Sequence, residues 1–318
     1  MKRDHIIRSV ETSISSTQDE QAAARPPEWH VPEGWPETSG HRIYKAAWYI
    51  VSCVLLFAIV LALFSIGWEY STRRYLKGFS DAIVPAAAPP EQKIESILNW
   101  MGHGPSRQAA GPDGLSPDRD PTETLNYQAL LRVCGTATNA FINLADSSGL
   151  KARRLLLLDS RHLVKHVTAE VNVDGRWIVV DPAFRAILHG ADGQLLTREQ
   201  LTDPATLAAA TKNIPGYDSS YTFESTAHIR LGRVHILGLP LRTIVDRFLP
   251  RSEGSVLVSL LVERESLAMM VASICLVVFL ILLRFAMRWY GERRLGLLTP
   301  RVHIQIRRAL VALLNTEG

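Results

Sequence analysis

The sequence predicts a two-span membrane protein whose large loop carries a helix beginning at a cysteine and an antiparallel β-hairpin. Three observations support this: two long apolar segments, a helical stripe from Cys134, and an Asp-Gly turn between two alternating runs. The 318 residues are 47% hydrophobic and include 20 glycines, 17 prolines and 3 cysteines, which excludes collagen-like, disordered and disulfide-rich classes. A net charge of +4 is too small to indicate nucleic-acid binding.

Two apolar segments are long enough to cross a lipid bilayer. Neither residues 46–68 nor residues 266–283 contain a charged side chain. A hydrocarbon core about 30 Å thick needs about 20 helical residues, and aromatic residues flank both segments, as is typical of membrane interfaces. Buried globular helices are the alternative, although few soluble helices are apolar on all sides over this length. We predict transmembrane helices over residues 45–68 and 266–289.

The charge distribution predicts the orientation of the two spans. Residues 1–45 carry 6 basic and 7 acidic side chains, and residues 69–265 carry 22 of each. Residues 284–318 carry seven arginines against two acids. Because basic residues are retained on the cytoplasmic side, the C-terminal tail is expected in the cytoplasm and the loop outside it.

The N-terminal tail then lies in the cytoplasm as well. This tail, residues 1–44, is polar and proline-rich and is predicted to be disordered, whereas residues 290–318 form a basic cytoplasmic tail. Arg73, Arg74 and Lys77 follow the first span on its far side, so an inverted topology with a cytoplasmic loop is the alternative.

The loop 69–265 is predicted to contain one structured core, at about residues 91–198. The flanking assignments are a linker at 81–90, a helix at 91–101, a loop at 102–121 and an amphipathic stretch at 236–249. The helix at 91–101 is indicated by apolar residues at helical spacing: Ile94, Ile97, Leu98 and Met101.

The segment from Cys134 predicts a helix that carries a reactive thiol at its start. Ala137, Phe141 and Leu144 form one apolar stripe, and Gly149 is placed to end the helix. A thiol at a helix N-terminus has a lowered pKa because the helix dipole favours the thiolate. A buried, inert cysteine is the plain alternative. Cys53 and Cys275 fall inside the spans, so no disulfide is expected within the loop.

Residues 166–181 predict a β-hairpin with a two-residue turn at Asp174-Gly175. The register begins with Val173 opposite Arg176 and ends with Thr168 opposite Asp181, with four residue pairs between them. In this register His166 and Asp181 are diagonal neighbours on one face of the hairpin. The hairpin is therefore expected to bring an imidazole and a carboxylate together.

A thiol, an imidazole and a carboxylate together indicate a nucleophile, a base and a residue that orients the base. Each residue alone has a structural explanation: His166 as a hydrogen-bonded strand residue and Asp181 as a strand end before Pro182. The combination is more specific than its parts.

Two segments resemble the core of transglutaminase-like (papain-like thiol) domains: CGTATNAFINLADSSGLKARRL and HVTAEVNVDGRWIVVDP. The resemblance covers roughly residues 125–184. It implies an α+β fold in which the cysteine helix packs on an antiparallel sheet, with Cys134 as nucleophile, His166 as general base and Asp181 as third member. Two features depart from the family pattern: Thr168 stands where an aromatic residue is common, and RVCGT lacks the usual preceding glycine.

The remaining polar candidates have weaker signals. Gln128 precedes Cys134 by the separation that papain-like enzymes use for an oxyanion donor, but Asn126 is equally near, and both fit ordinary surface amides. His162, His166 and His189 form no recognisable zinc motif, so neither a metal nor a cofactor is expected. Arg153 and Arg154 fit the start of a strand, with binding of an acidic substrate as the alternative.

The resemblance implies chemistry through a cysteine thioester, ending in amide hydrolysis or acyl transfer. We expect a bacterial inner-membrane protein that displays its thiol domain on the periplasmic or extracytoplasmic side and acts on a peptide or protein of the cell envelope. The alternative is a non-catalytic module that binds partners in an envelope or exopolysaccharide assembly complex.

Overall fold

The structured residues form an α+β arrangement with a five-stranded antiparallel sheet. A computed structural model describes residues 39–105, 121–228 and 255–294. The helices are α1 (Ser39–Ile83), α2 (Pro90–His103), α3 (Pro121–Thr124), α4 (Cys134–Ser147), α5 (Pro204–Thr211), α6 (Val256–Glu263) and α7 (Glu265–Arg294), with 3₁₀ turns at Leu130–Arg132 and Gln200–Thr202. The strands are β1 (Ala152–Leu158), β2 (Val164–Val173), β3 (Arg176–Asp181), β4 (Ala186–Ile187) and β5 (Thr226–Ala227). Their order in the sheet is β4-β3-β2-β1-β5.

The chain divides into two compact units. Among the described residues, one unit comprises residues 39–57 and 278–294, and the other comprises the described residues between 58 and 277. In the first unit the Tyr44 hydroxyl donates to the Met287 carbonyl oxygen at 3.0 Å. The second unit contains the whole sheet and the residues of the candidate site.

Helices α1 and α7 are long and apolar enough to cross a membrane. In the most apolar 18-residue segment of each helix, only 17% (α1) and 22% (α7) of the segment is buried. Large apolar side chains in the middle of α1, such as Leu63 and Phe64, are about two-thirds exposed, at 65% and 66%. A helix in the core of a soluble protein buries such side chains, whereas a helix that faces lipid exposes them.

Helix α1 is longer than the span predicted from its apolar residues. It begins at Ser39, within the tail that was predicted to be disordered, and ends at Ile83, within the predicted linker at 81–90. Beyond the apolar segment Glu69 and Arg73 pair at 2.6 Å, one helical turn apart, and the Leu76 side chain is fully buried. The helix extends because packing and ion pairing support it where hydropathy no longer does.

The hairpin has the predicted register. Val173 pairs with Arg176, Asn172 with Trp177, and the ladder continues to Ala169 and Val180. The left-handed conformations of Asp174 (φ 50°) and Gly175 (φ 85°) are those of a type I′ turn. The predicted hairpin is confirmed.

Both faces of the sheet are covered by apolar side chains. One face packs on α4 through residues that include Ala137, Phe141, Leu144, Ala169, Val171, Ile178 and Val180. The other face is covered by a second cluster of Leu155, Leu157, Val179, Leu188, Leu196, Leu201 and Phe223. The folded core therefore extends beyond the expected limit at about residue 198, since Phe223 and β5 belong to it.

Helices α2 and α4 match their sequence patterns. The residues at helical spacing in α2, Ile94, Ile97, Leu98 and Met101, are its buried residues. Helix α4 ends with the Leu150 N–H bonded to the Ala145 carbonyl and the Gly149 N–H bonded to the Asp146 carbonyl. With Gly149 at φ 81° these two bonds form a Schellman motif.

Some predictions fall outside the described residues. They concern residues 1–38 of the N-terminal tail, most of the loop at 102–121, the amphipathic stretch at 236–249, and residues 295–318 of the basic tail.

Candidate active site

Cys134 is the first residue of helix α4 and is partly exposed. Val133 before it has extended backbone angles (φ −85°, ψ 125°), so the chain turns sharply at the thiol. The Thr136 hydroxyl donates to the Leu130 carbonyl, and the Thr138 hydroxyl donates to the Val167 carbonyl at 3.1 Å. The second of these bonds ties the first turn of α4 to strand β2 next to His166.

His166 lies on β2 beside an irregularity in the sheet. Leu157 of β1 pairs with His166, but Leu158 pairs with Val164, so β2 carries one additional residue at this point. A β-bulge changes the direction of neighbouring side chains and is common beside functional sites. The imidazole is 2% exposed, and the nearby Cys134 thiol contributes to raising the pKa of the imidazole. The predicted thiol and imidazole thus come together in the folded chain.

Asp181 ends β3 and is fully buried. Its Oδ2 lies 2.7 Å from His166 Nε2, while its Oδ1 accepts the backbone N–H groups of Ala183 and Phe184 at 3.2 and 3.3 Å. These bonds hold the carboxylate in place and satisfy both of its oxygens. Because Nε2 faces Asp181, the other imidazole nitrogen, Nδ1, is left for the thiol.

The hydrogen bonds of the site favour a thiolate and an imidazolium. The bond to His166 lowers the pKa of the Cys134 thiol against the opposing effect of burial, and the backbone N–H groups of Val167 and Gly135 add to this. Burial by itself disfavours the imidazolium, but the bonds to Asp181 and Cys134 outweigh it and raise the pKa of His166 to about 9. Both shifts favour the thiolate and the imidazolium, and the thiolate is the reactive form of a cysteine nucleophile.

Three aromatic rings surround His166, and the sequence pattern did not single them out. The Tyr221 ring stacks on the imidazole, with centroids 4.3 Å apart and planes 6° from parallel. Phe184 and Tyr217 lie 5.7 and 6.4 Å from it. Burial raises the pKa of Tyr217, and the Asp181 charge adds to this effect. Phe184 follows Asp181 closely, but only the folded chain brings the two tyrosines to the site.

Gln128 has a structural contact in the described residues. Its amide nitrogen donates to the Met101 carbonyl oxygen at 3.1 Å, and the Arg185 guanidinium donates to the same oxygen at 3.3 Å. Asn126 donates to the Thr122 carbonyl one turn earlier, at 2.7 Å. Each of the two candidate oxyanion donors thus uses one N–H to hold the segment before Cys134.

Arg153 and Arg154 both form ion pairs inside the domain. Arg153 pairs with the buried Glu170 at 2.7 Å, and Arg154 pairs with the buried Glu263, also at 2.7 Å. Both arginines thus have partners inside the domain, and the alternative that they bind an acidic substrate stays a prediction. Among the described residues no group of three His, Cys, Asp or Glu side chains is placed to hold a metal ion.

Comparison with protein-family models, with curated proteins and with solved structures found no match for this chain. The features of the chain that bear on its function are therefore the geometry of Cys134, His166 and Asp181 and the two apolar helices.

Proposed function

We propose that this chain is a membrane-anchored thiol enzyme of the transglutaminase-like type, which cleaves or transfers acyl groups at amide bonds. The observation that carries the proposal is the arrangement of three groups: Asp181 Oδ2 lies 2.7 Å from His166 Nε2, and His166 in turn lowers the pKa of the partly exposed Cys134 thiol. A partly exposed thiol at a helix start, backed by an imidazole and an oriented carboxylate, is the arrangement that cysteine-dependent acyl transfer requires.

The reaction follows from the roles of the three groups. The Cys134 sulfur attacks the carbonyl carbon of the amide, and the His166 imidazolium donates its proton to the departing amine. The resulting thioester is attacked by water or by a second amine, whose proton passes to the His166 imidazole. The product leaves as an acid or a new amide, and the thiolate and imidazolium are restored. Asp181 orients the ring and stabilises its charged form.

The two apolar helices support a membrane location for this reaction. In the proposed topology both tails lie in the cytoplasm of a bacterial cell and the thiol domain lies outside the inner membrane. The seven arginines after the second span favour retention of the C-terminal tail in the cytoplasm. The substrate is then a peptide or protein of the cell envelope. A non-catalytic binding module makes no use of an ionised thiol, so thiol chemistry separates the two functions.

The test is the rate at which a membrane-impermeant thiol reagent labels Cys134 in intact spheroplasts, measured against pH. We expect fast labelling below pH 7 in the natural protein, because the pKa of its thiol is lowered by His166. The labelling midpoint is the pH at which the labelling rate is half of its maximum. The variant His166→Ala lacks the imidazole that lowers the thiol pKa, so its labelling midpoint should move towards about 8.5, the pKa of an ordinary thiol. Cys134→Ala gives the background from Cys53 and Cys275.

Two outcomes contradict the proposal. A midpoint near 8.5 in both proteins excludes an activated thiol and favours the binding module. Labelling that begins only after the membrane is opened places the thiol domain in the cytoplasm and contradicts the proposed topology.

A further inference from the structure

A buried charged residue lies at the junction between helices α6 and α7, where the second apolar helix begins. Arg264 is 2% exposed. Its guanidinium donates to Asn143 Oδ1 and to Asp146 Oδ2, each at 2.8 Å, and to Glu69 Oε1 at 3.3 Å. Asn143 and Asp146 belong to the cysteine helix α4, and Glu69 belongs to α1. One buried cation therefore contacts the cysteine helix and both apolar helices.

The residue before Arg264, Glu263, forms further buried contacts with residues near the thiol. It is 1% exposed, it pairs with Arg154 Nη1 at 2.7 Å, and it accepts a bond from Asn139 Nδ2 at 3.2 Å. Arg154 in turn donates from Nη2 to the Gly135 carbonyl oxygen at 3.3 Å. Gly135 is the residue after Cys134, and its backbone N–H lowers the pKa of the thiol. An ion pair and a hydrogen bond therefore connect Glu263, two residues before α7, to the residue that follows the nucleophile.

Stability alone does not account for this pair. An ion pair taken out of water contributes little more, and often less, than an apolar pair of the same size, because both charges lose their hydration. The effect of the Arg154–Glu263 pair that matters for the thiol is the neutralisation of charge. While the two residues are paired, the Arg154 cation beside the first turn of α4 is neutralised by Glu263.

We propose that Arg154 and Glu263 are positioning residues that couple the apolar helix α7 to the ionisation of Cys134. The proposal rests on the proposed function, since it concerns the same thiol. Any movement of α7 in the bilayer that draws Glu263 away leaves an unpaired cation beside the nucleophile and favours the thiolate. The membrane helix thereby sets the reactivity of the site as well as its location.

Other ionisable groups also face these residues. Around the thiol they are His166 of β2, Asp181 of β3 and Tyr221. Next to Glu263 along the chain is Arg264, which pairs with Glu69 of α1 and Asp146 of α4. All of them are present in each variant described below except where one is itself replaced.

The test compares the labelling midpoint of Cys134 in full-length protein reconstituted in lipid bilayers. Glu263→Gln leaves the Arg154 cation unpaired, so the midpoint should fall and labelling at acid pH should rise at least threefold. Arg154→Gln removes the cation and keeps the negative charge of Glu263, so the midpoint should rise and the same rate should fall at least threefold. In the double variant both charges are absent, and the midpoint should return towards that of the natural protein.

Two further variants separate charge from fold. Asp146→Asn removes the partly exposed partner of Arg264 at the far end of α4, and the midpoint should not move. Arg154→Lys keeps the positive charge but lacks the planar guanidinium. Cys134 in this variant should be labelled as it is in the natural protein. Thermal unfolding of every variant shows which of them are folded.

The proposal is overturned if the folded Glu263 and Arg154 variants shift the midpoint in the same direction or leave it in place, as expected of purely structural residues. If Arg154→Gln does not fold, the failure of Glu263→Gln to lower the midpoint overturns it alone. A midpoint near 8.5 in the natural protein contradicts the proposed enzymatic function, yet opposite shifts in the two variants would still establish the coupling.

Discussion

At the scale of single residues, His166 determines the chemistry of the site. Its ring stacks on Tyr221, its Nε2 lies 2.7 Å from Asp181 Oδ2, and the Cys134 thiol helps to raise its pKa. A buried imidazole is normally neutral, because burial disfavours its charged form. Here the carboxylate and the thiol reverse that preference, so the charged form is maintained by specific partners and depends on each of them.

The pH dependence of stability should reveal the contribution of Asp181. A histidine whose pKa is raised on folding stabilises the protein fully below the unfolded value of 6.5, and that stability is lost as the pH rises through the folded pKa. In a Cys134→Ala background, where the thiol no longer titrates, the free energy of unfolding should therefore fall as the pH rises above 6.5. Adding Asp181→Asn should remove this fall, because the bond to Asp181 is the largest of the effects that raise the pKa.

Urea unfolding in mild detergent at pH 6, 7.5 and 9 measures this difference. Asp192→Asn is the matched control, since Asp192 is an exposed turn carboxylate that bonds the Gln194 N–H. An equal pH slope in the Asp181 and Asp192 variants would show that Asp181 does not hold the imidazolium.

At the scale of secondary-structure elements, the hairpin β2–β3 carries two of the three site residues, and its turn sets their alignment. A one-residue slip in register would move every side chain of one strand to the opposite face. The Asp174-Gly175 turn prevents this slip, because both residues adopt the left-handed conformation that a type I′ turn requires.

Gly175→Ala should destabilise the protein by about 1 kcal/mol, because an alanine is strained at φ 85°. Asp174→Asn is the matched control, since asparagine accepts the left-handed region well, and it should have little effect. Urea denaturation midpoints of the two variants provide the measurement. Equal midpoints for Gly175→Ala and the natural protein would mean that the turn does not constrain the hairpin.

Elements also differ in how far their sequence predicts them. Helix α4 and the hairpin are set by local patterns: apolar spacing, the glycine after the helix and the turn dipeptide. The length of α1 and the participation of β5 in the sheet are set by contacts with other elements. Hydropathy therefore placed the first span correctly within α1 and missed both of the helix's ends.

At the scale of the whole molecule, the exposed apolar surface of α1 distinguishes a membrane protein from a soluble one. Leu63 is 65% exposed in the middle of the apolar segment. In water, Leu63→Arg at so exposed a position should change stability by no more than about 0.5 kcal/mol and should improve solubility. In a bilayer the same change should cost about 3 kcal/mol of insertion free energy.

Membrane fractionation with an alkaline extraction measures the effect of Leu63→Arg. We expect a smaller share of the variant in the extracted membrane pellet than of the natural protein. Arg74→Leu, outside the apolar segment on the same helix, serves as a control and should remain in the pellet. Equal recovery of Leu63→Arg and the natural protein would contradict the assignment of α1 as a span.

The sequence by itself determined the features that depend on neighbours along the chain. These are the two apolar segments, helix α4 with its terminal glycine, the hairpin register, and the contact between His166 and Asp181, which are 15 residues apart. Periodicity and turn chemistry act over a few residues, so a single sequence is sufficient to read them.

Tertiary structure alone decided the features that join distant segments. It brought Tyr217 and Tyr221 to the imidazole, and it paired Glu263 of α6 with Arg154 of β1. No local pattern specifies such a pair, because either residue could equally face solvent where it stands in the sequence. The partners are selected when apolar faces pack, since a buried charge is stable only where a group of opposite charge is buried beside it.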